Sequence, residues 1–172
     1  MIPEDFVKRL SVTSITSSGR RSLPRRAVVA ALVALLAGAA NAVTVARADP
    51  LLTYPLKIRG HELRVEVANN DETRRTGLMF RRSLAENSGM LFVYEAPGRH
   101  AMWMKNTLVP LSVAFMDRDG RILNIEDMEP LTLTAHASAG EAWYSLETNR
   151  GWFAQRGIGA GERVQGLKAI PR

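Results

Sequence analysis

The segment Pro110–Met116, PLSVAFM, is the feature that most constrains how this chain can fold. In an extended chain its apolar residues occupy both faces, with Leu111, Val113 and Phe115 on one and Ala114 and Met116 on the other. A strand that is apolar on both faces belongs in the interior of a sheet, where each face is covered. The segment therefore predicts an interior strand.

Further short segments predict its neighbours. His61–Asn69 alternates apolar and charged residues, the period of a half-buried strand. Asp117–Gly120 has the composition of a tight hairpin turn, because glycine supplies the positive φ that such a turn needs. The remaining predicted strands are Gly89–Glu95, the run from His100 to Lys105, Arg121–Met128 and a segment near Glu141–Glu147.

Two short helices are also predicted. Asn70 or Asp71 can cap the first, which we expect to extend to Leu84. The second follows Thr148 or Asn149, covers 152–153 and ends near residue 157. Short strands at close spacing with few helices predict an all-β fold, a compact β-sandwich or open barrel with one or two short helices.

The first 48 residues differ from the rest in composition. Four arginines between positions 20 and 26 precede an apolar run over residues 27–40, and two A-x-A cleavage patterns follow, at Ala40–Ala42 and Ala46–Ala48. A basic segment, an apolar segment and small residues at the cleavage site are typical of a secretory signal peptide. We therefore predict a leader over 1–48, a single mostly-β domain over 49–172 and a periplasmic or secreted location. An uncleaved leader that anchors the chain in a membrane is the alternative.

Charge and cysteine content exclude several classes of protein. Seven of the 23 Lys and Arg and two of the 17 Asp and Glu lie in residues 1–48, which leaves 16 basic and 15 acidic residues. Such a balance lacks the clustered positive charge of a nucleic-acid binder, so no nucleic-acid partner is expected. The chain contains no cysteine, which excludes disulfides, thiol catalysis and thiolate metal sites.

Several blocks occur in an order that resembles a known family. They are Thr76-Gly77-Leu78-Met79-x-Arg81, Gly89-Met90-Leu91-Phe92, Trp103-Met104-Lys105-Asn106-Thr107, Pro110-Leu111, Asp119-Gly120-Arg121-Ile122, Leu146-Glu147 and Gly157-Ile158-x-x-Gly161-Glu162-x-Val164. Together they resemble the bacterial and archaeal family called domain of unknown function 192, over nearly all of Leu63–Gly166.

This resemblance implies a compact, mostly-β domain that is often exported, and it brings no established activity or catalytic residue. One position departs from the family pattern. The family usually has an acidic residue after Pro-Leu, and this chain has Ser112. A role that depends on a carboxylate at that position is therefore in doubt here.

The short polar segment that follows Trp103 is the candidate binding site. Lys105, Asn106 and Thr107 supply amine, amide and hydroxyl groups between two apolar segments. Binding groups concentrate in loops held by a rigid sheet, and Trp103 adjoins this loop as a stacking platform. The alternative is that Asn106 and Thr107 only build a turn and bond to nearby backbone.

Two other functions compete with a binding role. His100, Met102 and Met104 would share one face of a strand, and thioethers with imidazole suit copper(I), although methionine is also an ordinary filler of cores. A small periplasmic enzyme with a dispersed acid–base pair is the other alternative, and it predicts a pocket with a perturbed carboxylate or histidine. No catalytic motif occurs, so we identify no catalytic residue.

The sequence thus favours an exported, monomeric binding or accessory module of the cell envelope over an enzyme. We expect contact with a ligand or envelope protein at Trp103, Lys105, Asn106 and Thr107, no cofactor, and membrane contact only through an uncleaved leader.

Overall fold

The computed structural model describes residues 52–171, so the predicted leader over 1–48 lies outside the described residues. The predicted all-β class is confirmed, as one curled sheet that forms a half-barrel with little helix. No helix within 52–171 reaches the length and apolarity that crossing a bilayer requires. The strands are β1 (Thr53–Ile58), β2 (His61–Ala68), β3 (Ser88–Gly98), β4 (Ala101–Met102), β5 (Leu111–Met116), β6 (Ile122–Met128), β7 (His136–Ala137), β8 (Ala142–Asn149) and β9 (Val164–Gln165).

Seven strands form the main sheet in the order β6-β5-β8-β3-β2-β1-β9. All neighbours are antiparallel except β2 and β3, which are parallel and joined by a crossover that contains the helix. The remaining two strands, β4 and β7, pair only with each other. The interior position predicted for Pro110–Met116 is confirmed, because β5 lies between β6 and β8 and all six of its residues are buried.

Each face of the main sheet carries its own apolar cluster. The first cluster includes Leu91, Leu146 and Trp152 and is covered by the C-terminal segment. The second includes Phe92 and Phe115 and is covered by the loops after the helix and after β4. Residues of β3 and β5 alternate between the two clusters, as the two-residue period of a strand requires, and β8 also contributes to both. The candidate site lies on the face of the second cluster.

The first predicted helix is much shorter than expected. Helix α1 spans Asp71–Thr76, and Asn70 caps it through a capping box with Thr73. It ends at Gly77, whose φ of 47° breaks the helical backbone, and Phe80 three residues later has a φ of 63°. The extension to Leu84 was therefore wrong, because an apolar pattern cannot continue a helix through these backbone angles.

The second predicted helix is a single 3-10 turn, η1 (Ala154–Arg156), that ends at the left-handed Gly157. A further turn, η2 (Leu167–Ala169), follows β9. The predicted strand from His100 to Lys105 is also shorter, since only Ala101–Met102 pairs with another strand. Beyond Met102 the chain turns, and the Thr107 amide donates to the Met104 carbonyl at 3.1 Å.

Candidate functional site

A buried glutamate lies at the centre of the main sheet. Glu147 belongs to β8 and stands opposite Met90 of β3 and Val113 of β5. Because directly opposite residues share a face, its side chain lies among the residues of the second apolar cluster. The residue is 4% exposed, and its carboxyl group makes no hydrogen bond or ion pair within residues 52–171.

Burial sets the protonation of this carboxyl group. Removing a carboxylate from water without a partner disfavours its charged form, which raises the pKa of Glu147 to about 8. At neutral pH the group is therefore mostly protonated. A carboxylic acid held neutral in this way can donate as well as accept a hydrogen bond.

A pocket opens onto Glu147 from the loop side of the sheet. Its volume is about 180 Å³, slightly more than the roughly 150 Å³ of an apolar cavity that accommodates benzene. The wall combines apolar side chains with a few polar and charged groups, which is typical of small-molecule sites. Its residues are Arg74, Arg75, Thr76, Gly77, Leu78, Met79, Phe92, Tyr94, His100, Ala101, Met102, Trp103, Thr107 and Glu147.

Tyr94 and His100 form one wall of the pocket. Their rings stack with centroids 3.5 Å apart and an interplanar angle of 8°. The Tyr94 hydroxyl lies 2.8 Å from Ser145 Oγ and 3.6 Å from Met102 Sδ. Burial is the main cause that raises the pKa of Tyr94 to about 12, although the hydrogen bond with Ser145 opposes the increase. Burial lowers the pKa of His100, so both rings are neutral at pH 7.

Two arginines at the pocket differ in how far their charge is compensated. Arg74 Nη2 donates to Asp71 at 2.7 Å and to Glu95 at 2.9 Å, and Nη1 donates to the Val93 carbonyl at 3.0 Å. Its hydrogen bond to Asp71 is the main cause of its raised pKa. Arg75 is exposed and has no polar partner among the described residues. Arg75 can thus offer its charge to a ligand, whereas the charge of Arg74 is compensated by two carboxylates.

The predicted binding residues fall into two groups. Trp103 and Thr107 line the pocket, and Lys105 and Asn106 do not. Lys105 Nζ lies 5.7 Å from the centre of the Trp103 ring, within the range of a cation–π contact. Asn106 and Thr107 lie in a turn, with a φ of 57° at Asn106 and a 3.4 Å hydrogen bond from Thr107 Oγ1 to the Lys105 carbonyl, while the Asn106 side chain donates to Met79 Sδ at 3.9 Å. The binding role of these four residues stays a prediction.

The copper alternative required three donors on one face. Met104 is fully buried in the second apolar cluster, while Met102 accepts from Tyr94 and His100 stacks on the same ring. His100 and Met102 line the pocket and Met104 does not, so the structure does not gather the three in that pocket. Within residues 52–171 no three His, Asp or Glu side chains are arranged to hold a metal ion.

Ser112, the departure from the family pattern, lies away from this pocket. It is buried on β5, donates to Asp127 Oδ1 at 2.5 Å and accepts from the Gly151 amide at 2.8 Å. Its neighbours Ala114 and Met116 on the same strand face belong to the first apolar cluster. Glu147, the residue that sequence reasoning missed, lies on the other face. The sequence signal was a charged residue inside a strand with buried residues on both faces.

Comparisons with known proteins place the domain in a family. The family model for DUF192, described as an uncharacterized ACR, matches residues 54–166. A solved structure from Sinorhizobium meliloti 1021, described as a candidate transcription regulator, is 34% identical with a TM-score of 0.66, and the match covers 68% of this chain and 95% of that one. The solved structure of a protein of unknown function from Novosphingobium aromaticivorans DSM 12444 is 33% identical with a TM-score of 0.66. That match covers 69% of this chain and 88% of the other. A search of curated proteins finds no match. The chain belongs to the domain of unknown function 192 family.

Proposed function

We propose that this protein is an exported cell-envelope domain that binds a small ligand carrying a protonated amine in the Glu147 pocket. The main observation behind this proposal concerns the carboxyl group of Glu147. It is almost fully buried, has no partner within residues 52–171 and lines that pocket. No side-chain oxygen within residues 52–171 is both fully buried and unpartnered, so the Glu147 oxygens stay accessible at the pocket, where a ligand can supply the missing hydrogen-bond partner. An ammonium group supplies both a charge and hydrogen bonds, so it matches an ionised carboxylate better than a neutral group does.

The surroundings of Glu147 support a cationic group at the bottom of the pocket. Phe92 and Trp103 line it with aromatic rings, whose faces attract cations. Arg74 does not oppose this, because two carboxylates compensate its charge. Arg75 adds an uncompensated positive charge, which favours a ligand with an anionic group at its far end. We therefore expect a small amine that also bears a carboxylate.

Binding is tested with four probes built on one ring: benzylamine, 4-(aminomethyl)benzoate, benzyl alcohol and benzoate. Calorimetry with residues 49–172 is expected to show binding of the two amines, with affinity that rises between pH 6 and 8 as Glu147 ionises. Titrations in two buffers of different ionisation enthalpy should report proton release. Glu147→Gln should weaken amine binding by 10- to 100-fold, because a buried charge-assisted hydrogen bond is worth about 1.5–3 kcal/mol.

Two control variants accompany the probes. Glu141→Gln removes an exposed glutamate that does not line the pocket and should leave binding unchanged. Arg75→Ala should weaken only 4-(aminomethyl)benzoate. Tighter binding of benzyl alcohol, lost above pH 8, would show a neutral ligand and refute the amine. If none of the four probes binds, the pocket loses its role as a binding site for small ligands.

An acid–base enzyme is the second candidate. Its supporting observation is that Glu147 and His100 both line the pocket with shifted pKa values, that of Glu147 raised to about 8 and that of His100 lowered. A general acid or base works best with a pKa near the working pH. NMR spectra of the bound probes distinguish the two, because an enzyme converts its ligand over hours and a binding protein returns it unchanged.

The proposed location is supported by the composition of residues 1–48. The full chain with a C-terminal tag is expected in the periplasmic fraction of a bacterial host, with a new N-terminus at Val43 or Asp49. Leu35→Arg with Leu36→Arg interrupts the apolar run and should leave the uncleaved chain in the cytoplasm. Recovery of the uncleaved parent chain in the membrane pellet would instead support an anchor.

No nucleic acid is proposed as a partner, although the similar Sinorhizobium protein is described as a candidate regulator of transcription. Residues 49–172 carry 16 basic and 15 acidic side chains. Phosphate neutralisation requires an excess of cations on one surface. We therefore propose a binding module that has no nucleic-acid partner, and we keep the expectation that it is a monomer.

A further inference from the structure

Three loops form one continuous surface beside the pocket, and we call them the tip loops: Leu78–Arg82, Trp103–Val109 and Pro130–Thr134. Backbone hydrogen bonds tie them together. The Phe80 amide donates to the Asn106 carbonyl at 2.8 Å, the Leu131 amide to the Thr107 carbonyl at 3.1 Å, and the Met104 amide to the Thr132 carbonyl at 3.0 Å. The middle loop is thus held against both of the others.

The tip loops expose large apolar side chains to an unusual degree. Six large hydrophobic residues within 52–171 are exposed, and five of them belong to these loops. They are Phe80 (69%), Trp103 (53%), Leu108 (45%), Leu131 (60%) and Leu133 (66%). Single exposed apolar residues are common on protein surfaces, but a concentration of them in adjoining loops marks an interaction surface.

The backbone holds two of these side chains outward at a conformational cost. Phe80 and Leu131 have φ values of 63° and 61°, in the left-handed region that bulky residues rarely occupy. Asn106, between them in the middle loop, has a φ of 57°. Strain of this kind persists where the surrounding structure enforces it, and it concentrates at functional sites. The exposure of Phe80 and Leu131 is therefore built into the fold.

The charges of the tip loops all have one sign. The loops contain Arg81, Arg82 and Lys105 and no acidic residue. Arg81 is bound to Glu66 by two hydrogen bonds of 2.5 and 2.6 Å, whereas Arg82 and Lys105 are exposed and make no ion pair within residues 52–171. Exposed aromatic and aliphatic residues flanked by cations match the interface of an anionic bilayer.

We propose that the tip loops dock this domain on an anionic lipid surface. The apolar side chains enter the headgroup region, and Arg82 and Lys105 contact lipid phosphates. A second copy of the chain would bring the same cations against each other, which disfavours self-association through this surface. Four of the exposed side chains do not line the ligand pocket: Phe80, Leu108, Leu131 and Leu133. At these residues the docking surface is separate from the pocket. The proposal therefore does not depend on the ligand.

The test is co-sedimentation of residues 49–172 with lipid vesicles. The whole sheet and both apolar clusters lie within residues 52–171, so we expect the domain to fold without the leader. We expect partitioning onto phosphatidylglycerol–phosphatidylcholine vesicles at least tenfold stronger than onto phosphatidylcholine alone. Phe80→Ser with Leu133→Ser should reduce it at least tenfold, and Arg82→Gln with Lys105→Gln should abolish the preference for anionic lipid.

Leu52→Ser is the matched control, because Leu52 is the sixth exposed large hydrophobic residue and lies outside the tip loops. It should partition as the parent protein does. Equal partitioning of the Phe80/Leu133 double variant and the parent overturns the proposal. A dimer in size-exclusion chromatography that the double variant abolishes, without vesicle binding, would assign the surface to a second copy and also overturn it.

Discussion

Glu147→Gln is expected to raise the melting temperature of the domain at pH 7 by roughly 10 °C. In the folded protein the pKa of this carboxyl group is raised to about 8, whereas in the unfolded chain it returns to about 4.5. At pH 7 the unfolded state gains free energy by ionising and the folded state does not. The resulting loss of stability is roughly 3 kcal/mol, which glutamine avoids because it stays neutral.

The size of this effect depends on pH in a defined way. Below pH 4.5 both states are protonated, so the glutamate and glutamine proteins should be about equally stable. Between pH 4.5 and 8 the unfolded state binds fewer protons, and the stability contributed by the neutral carboxyl group is lost as pH rises. Above pH 8 both states are ionised, and the difference between the two proteins levels off.

Thermal unfolding of both proteins from pH 4 to 9 measures this difference directly. Contributions from the surface ion pairs cancel because both proteins share them. Glu141→Gln, at an exposed position, should follow the wild-type curve at every pH. A difference between wild type and Glu147→Gln that stays constant across the range would mean that burial does not perturb Glu147, and the electrostatic basis of the pocket would be wrong.

Much of the sheet follows from local patterns in the sequence. The alternation of His61–Asn69 and the apolar run of Pro110–Met116 fix which side chains face inward, so β2 and β5 are predicted almost to the residue. The turn at Asp117–Gly120 is also local, because Asp117 Oδ1 accepts from the Asp119 and Arg121 amides and Gly120 has a φ of 75°. Strand β1 was missed, since Pro55 at its centre removes a backbone donor.

The lengths of other strands and helices depend on long-range contacts, which a local sequence pattern does not reveal. The Met104 amide bonds to Thr132, 28 positions along the chain, instead of continuing β4. The Phe80 amide bonds to Asn106, which fixes the left-handed conformation that follows α1. These long-range hydrogen bonds end the strand and the helix earlier than their apolar content predicts.

The pocket was only partly predictable for the same reason. Trp103 and Thr107 were expected at a binding site because their residue types and loop position are visible in the sequence. The burial of Glu147 requires β8 to lie between β3 and β5, and that order is a property of the whole sheet. The stacking of Tyr94 on His100 likewise depends on the chain reversing after β3.

Gly89→Ala is expected to destabilise the domain by about 3 kcal/mol or more, a fall in melting temperature of at least 10 °C. Gly89 lies in β3 beside β8, and a Cβ atom there would stand 2.4 Å from the Glu147 carbonyl oxygen. That oxygen belongs to the backbone, so the two strands must separate to relieve the overlap. Because β3 and β8 are both central, separation also weakens the packing of both apolar clusters.

Urea unfolding at pH 5 measures this loss under conditions where Glu147 is protonated in the folded state. Gly159→Ala is the matched control, because a Cβ atom at Gly159 meets no atom within 4 Å. Its stability should equal that of the wild type or exceed it by up to about 1 kcal/mol, through the reduced freedom of the unfolded chain. In Gly89→Ala the displaced β8 should also weaken amine binding at temperatures where the variant is still folded. A Gly89→Ala protein within about 0.5 kcal/mol of the wild type would contradict the close approach of β3 and β8 on which the position of Glu147 depends.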